Sequence, residues 1–229
     1  MNKLYINDTN ISATLSIFSP KLREIVRQYF PFKSKKTLSL IYDGNTLVRH
    51  YCDEYEIHFC LTSDQLSNDE NFLHEFFHCV QKEEGFPSLH CNVSSFKNLE
   101  TELTSFVLDF DVGDRLVTNG YRRSNKYEAS IILYKKAIHY IELLNNKTVF
   151  VSIDDEIGQS GMLAHLKYFN FKIDDLLITT KNVRPKIYKT YQIMYEAINS
   201  YPYDTIDGVY NIYQILLHKL NLQEYFSIE

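Results

Sequence analysis

The sequence predicts an α+β fold: a small antiparallel sheet, then a helix carrying two histidines, then a mostly helical C-terminal half. Three observations predict it. Near-alternating apolar residues with an Asp-Gly turn signal crowd into residues 37–61. Start and stop signals bracket one helix over residues 67–87. Beyond it, apolar positions recur at helical spacing almost to residue 220. With 229 residues, 45% of them hydrophobic and 23% charged, the chain can build a real core. It holds no Gly/Ser/Pro-rich linker. One domain over residues 1–229 is therefore expected, with a core over 37–124 and a helical region over 125–229 that joins it or forms a subdomain.

Taken in order, Ser19-Pro20 opens a short helix through KLREIVRQYF, with serine as N-cap and proline in the first turn; Pro31 ends it. TLSLIY, then TLVRHY after Asp43-Gly44-Asn45, then Tyr55–Leu61 read as three strands, the first two joined as a hairpin. Helical segments are expected at Asn98–Phe110, Val112–Asn119 and Tyr127–Leu144, with a short one at Gly161–Phe169. Leu176–Thr179 suits a strand or a helical turn. Arg184-Pro185 opens a helix to about Asn199, and Ile206–Leu220 forms another.

Charge and composition exclude several roles. Net charge is −5, so no basic footprint marks nucleic acid or an anionic membrane as a partner. No apolar run approaches the roughly 18–20 residues needed to cross a bilayer. MNKLYINDTN lacks the layout of a signal peptide, which leads us to expect a cytoplasmic protein. Cys52, Cys60, Cys79 and Cys91 form no CxxC pair and are expected as reduced thiols. The sequons at Asn7, Asn10, Asn92 and Asn146 read as chance in an Asn-rich chain.

The chemistry concentrates in SNDENFLHEFFHCVQKEEGFP, residues 67–87. Ser67 and Glu70 fit a capping box, Gly85 suits a left-handed C-terminal position, and Pro87 stops continuation. Phe72, Leu73, Phe76, Phe77 and Val80 form one apolar stripe. His74 and His78, four residues apart, project from one face, close enough to share a zinc ion. Glu75 lies about 100° further round, placed to reach a metal-bound water without ligating. The plainer alternative makes all three ordinary polar-face residues.

Together with the strands ahead of it, His74-Glu75-Phe76-Phe77-His78 and its Glu84-Gly85-Phe86-Pro87 exit resemble the zincin metallopeptidases. The resemblance covers about a third of the chain and implies a zinc peptidase with one zinc per chain and Glu75 as general base. Residues 37–124 would then be the catalytic core. The metzincin extension is missing, because Glu84 stands where its third histidine belongs. The gluzincin pattern implies a carboxylate ligand from the next helix, where LETELTSFVLDFD falls.

The third ligand stays open among three carboxylates. On a helix through 98–110, Leu99, Leu103, Phe106, Val107 and Phe110 mark the apolar stripe. Glu100 and Glu102 flank it on opposite sides, and Asp109 shares the side of Glu102. Glu102 is favoured, with Glu100 and Asp109 as alternatives; each has the bland reading of a solvated helix carboxylate. Tyr121, Tyr127, His139 and His165 are candidates to stabilise an oxyanion. His58 reads as structural or surface, His90-Cys91 as loop, and Lys181, Arg184, Lys186 and Lys189 as a solvated helix start.

Two functions follow. One is a zinc-dependent hydrolase of a peptide bond in an intracellular protein or peptide, bound along the sheet edge by strand addition, with a regulatory protein partner conceivable. The other is a non-catalytic interaction module on the same scaffold, using the tyrosine-rich surface of residues 188–213. Intact Glu75 favours the enzyme.

Overall fold

The computed structural model describes residues 3–6, 15–30, 32–42, 45, 47–60, 62–122, 131–136, 138–139 and 152–229. The fold is α+β, with a small mixed sheet early and a mostly helical C-terminal half. The chain forms two compact units, Met1–Phe86 with Val112–Asn125, and Pro87–Asp111 with Lys126–Glu229.

The first unit contains β1 (Lys3–Ile6), α1 (Pro20–Tyr29), β2 (Thr37–Tyr42), β3 (Leu47–His50), β4 (Glu54–Phe59) and α2 (Gln65–Glu84). Its strands lie in the order β1-β2-β4-β3. The expected all-antiparallel sheet is corrected here: β2 pairs with β4 in parallel, while β1–β2 and β3–β4 are antiparallel. The predicted β2–β3 hairpin does not form, and its Asp43-Gly44 lie outside the described residues. Burial explains the order. Leu38 and Leu40 stand in register with Tyr55 and Ile57, and all four are fully buried. Pairing these two strands puts the most apolar segments at the centre. The weaker LVRH, with Leu47 and Val48 half-buried and Arg49 exposed, is left at the edge.

Helix α2 begins two residues before Ser67, and its N-cap is Asp64, not Ser67. The Asp64 carboxylate accepts from the Ser67 amide at 3.0 Å and from its hydroxyl. Those bonds hold the carboxyl below its usual range. Glu70, expected in a capping box, instead points inward and accepts from the Arg122 amide and Nε, both at 3.1 Å. A formal charge at the cap outcompetes a hydroxyl for the helix-end amides, which frees Glu70 for that second role. Gly85 closes the helix at φ 88°, as expected.

Phe72, Leu73, Phe76 and Phe77 are fully buried against Phe18 of the 15–18 turn, Leu22 of α1 and Tyr55, Ile57 and Phe59 of the sheet. Each such side chain contributes about 1.5–3 kcal/mol on burial. Packing therefore holds α2 in place more than helix propensity does. At its far end Glu83 accepts from Tyr55 Oη at 2.6 Å and from the Ser34 hydroxyl at 2.6 Å and amide at 3.0 Å. Buried Asp69 accepts from the Ser19 amide at 3.2 Å and from Tyr121 Oη at 3.3 Å.

The remaining elements are β5 (Leu89–Cys91), α3 (Lys97–Thr118), α4 (Ile153–Tyr168), α5 (Asp174–Val183), α6 (Pro185–Ser200), α7 (Ile206–Lys219) and β6 (Phe226–Ile228). Helix α3 is one uninterrupted span of 22 residues where the sequence suggested two segments. Asp111, the expected break, is neither proline nor glycine and costs the helix little. Residues 131–136 and 138–139 are helical, and both ends of the expected Tyr127–Leu144 helix lie outside the described residues. Leu176–Thr179 is helical, inside α5. His90-Cys91 is strand rather than loop: β5 pairs antiparallel with β6, a ribbon three residues long and too short to show a period. In the second unit Gly161 lets α4 come close to Phe106 and Met194, since a Cβ there would lie 3.1 Å and 3.2 Å from them.

Candidate metal centre

The apolar stripe of α2 faces the core, so the residues between its members face outward. His74, Glu75 and His78 are all half-buried there. The two imidazoles stand edge to face with ring centroids 4.9 Å apart. His78 Nδ1 lies 3.0 Å from Oε1 of Gln81, a wholly buried residue one turn on. An amide oxygen only accepts, so this contact is a hydrogen bond in the tautomer that carries its proton on Nδ1.

Asp109 of α3 is buried, at 7% exposure. It lies on the part of α3 that belongs to the second unit, three residues before Val112, where the first unit resumes. Helix α3 runs unbroken across that boundary. Val112, one turn later, and Leu116 are fully buried in the same core as Phe72 and Phe76. Two imidazoles and a carboxylate form a donor set that suits zinc and leaves a fourth position open.

The other predicted residues fall elsewhere. Glu102 is exposed and, with Asp109, lines a cavity of about 640 Å³ that Asp154, Gly158, Met162 and His165 also line. Glu100 accepts from the Cys91 amide at 2.6 Å and from Lys97 Nζ at 2.6 Å, so it serves the start of α3. Cys79 is wholly buried beside His78. Burial, and secondarily the Glu75 charge, push its thiol well above the ordinary range, which keeps it protonated and out of a ligand role. Tyr121 bonds Asp69 and Ser19 within the first unit. His165 is buried among the rings of Phe106, Phe110 and Phe169. His139 is exposed, and Tyr127 lies outside the described residues. His58 is buried in β4, 3.6 Å from Glu56.

Sequence reading did not single out Gln81. Its signal is its spacing, three residues after His78 on the same helix, within reach of the ring. Lys186, read as part of a solvated cluster, pairs with buried Glu156 at 2.6 Å. No protein-family model, curated protein or solved structure matches the chain. Among the described residues no helix is long and apolar enough to cross a membrane.

Proposed function

We propose that the chain is a zinc-dependent hydrolase acting on a peptide bond, with His74, His78 and Asp109 as metal ligands and Glu75 as general base. The observation that carries this reading is the His74–His78 pair, ring centroids 4.9 Å apart on one half-buried helix face with an intact Glu75. Asp109 is preferred as third ligand because it is buried on α3 where Glu102 is exposed. Bound zinc supplies Lewis acidity and brings the pKa of a coordinated water toward neutrality. With the metal held there, Glu75 would serve as the base that accepts a proton from the attacking water and passes it to the leaving amine. The two imidazoles bind as neutral donors, and the Asp109 carboxylate offsets part of the metal's charge. Asp109 thus takes the third-ligand role for which the sequence favoured Glu102.

A protein or peptide substrate is supported by strand β3. It is an edge strand of the sheet and packs against α2, the helix that carries the histidines. Among the described residues its outer edge is unpaired, and it would offer backbone donors and acceptors to an extended chain.

The test has two parts. Purified protein should carry or take up about one zinc per chain, and the His74→Ala/His78→Ala double variant should lose it. Glu75→Gln should keep the fold and the zinc but lower turnover by about a hundredfold or more. Cellular protein fragments compared between wild type and Glu75→Gln would supply the substrate. Zinc-free wild type that takes up none, or a fragment pattern indifferent to Glu75, would overturn the reading; in the second case a non-catalytic interaction module takes its place.

A further inference from the structure

We infer that Gln81 is the positioning residue of the metal centre: it decides which ring nitrogen of His78 faces the metal. The inference rests on the reading of His78 as a ligand. An isolated neutral imidazole prefers its proton on Nε2, the nitrogen that projects furthest from the backbone and best reaches a shared metal. A histidine left to that preference presents an N–H to the metal in place of a lone pair. The Gln81 Oε1, 3.0 Å from Nδ1, reverses the preference by giving the proton a partner on the inner nitrogen. The acceptor is well held. Gln81 is wholly buried, and its backbone carbonyl is tied into the end of α2 by the Phe86 amide at 3.0 Å.

The chemistry of the acceptor matters as well. Metal-binding histidines donate their second N–H to a carboxylate, a backbone carbonyl or water, and such partners tune both orientation and donor strength. A side-chain amide orients the ring without adding negative charge. The ligand set His74, His78 and Asp109 then leaves a divalent ion with a net charge of about +1 before water binds.

Two readouts test the inference on the full chain. In metal-free wild type, imidazole ¹⁵N–¹H NMR correlations should show His78 protonated at Nδ1. Gln81→Met, which keeps the bulk but removes the acceptor, should move the proton to Nε2. Zinc affinity measured by chelator competition should fall about ten- to hundredfold in Gln81→Met. It should return to the wild-type value or above in Gln81→Glu, because the carboxylate accepts from the same N–H. A merely structural role for Gln81 lowers the melting temperature but moves neither the tautomer nor the affinity, and that pattern would overturn the inference. If Gln81→Met does not fold, Gln81→Glu decides alone, and a tenfold loss of zinc affinity in it would overturn the inference. Failure of the metal reading itself is distinguishable, since wild type would then take up no zinc whatever occupies position 81.

Discussion

Gly158 leaves the room that Glu102 occupies: a Cβ at Gly158 would stand 2.8 Å from Glu102 Oε2 and 3.3 Å from its Cδ. The carboxylate favoured by sequence as third ligand thus lies against α4, beside the cavity wall. Asp109, two turns later on α3, is buried and is the carboxylate we propose as third ligand.

That placement separates the two carboxylates by experiment. Asp109→Asn should weaken zinc binding by about a hundredfold or more, beyond the range of outer-shell partners. Glu102→Gln should change it by less than about threefold. Chelator competition measures both, and a reversed order would return the third-ligand role to Glu102.

Both results trace to what a helical period can and cannot say. The spacing of His74 and His78 shows directly that their rings are neighbours, because one helix fixes that distance. The period also puts Glu102 and Asp109 on one side of α3. It does not say at which turn α3 meets α2, since burial of Val112 and Leu116 among the α2 phenylalanines decides that. The sheet failed to be legible for a related reason. Strand order β1-β2-β4-β3 follows from which strands bury most apolar surface, and adjacent segments in sequence give no measure of it. Helices α6 and α7 were legible to within a residue or so, because Pro185 marks the start of one and both keep an unbroken apolar stripe.

The Glu83 cluster should make stability depend on pH. Burial alone would raise the Glu83 carboxyl, but hydrogen bonds from Ser34 and Tyr55 outweigh it and lower the net value. A lowered carboxyl stabilises the fold above its unfolded titration range, and that stability is lost as pH falls through the folded value. Tyr55→Phe should therefore cost about 1–2 kcal/mol near neutral pH, and the gap to wild type should narrow on acidification. Denaturant titrations at pH 7 and pH 4 check it; a gap constant with pH would remove Glu83 from the account.

Gly208, in the first turn of α7, has no room for a side chain. A Cβ there would meet the Pro202 carbonyl oxygen at 1.7 Å. Backbone on both sides must move to relieve such a clash, so Gly208→Ala should destabilise the chain by about 3 kcal/mol. Thermal unfolding reads the effect. A melting temperature within a degree of wild type would mean that the segment before α7 shifts freely.

The β5–β6 ribbon ties residues 89–91 to residues 226–228, and Ser88 and Glu229 exchange backbone hydrogen bonds at 2.8 Å and 2.9 Å beside it. More than half of the chain lies between the two strands, so their pairing closes the longest loop described. Loop entropy makes such a contact late to form on the folding pathway, after the local helices are in place. With three residues a side, it is also among the cheapest to reopen. Amide protons of Ser88, Asn92 and Glu229, which bond across the ribbon or beside it, should exchange with solvent well before those of α6, marking the seam where the native fold first parts.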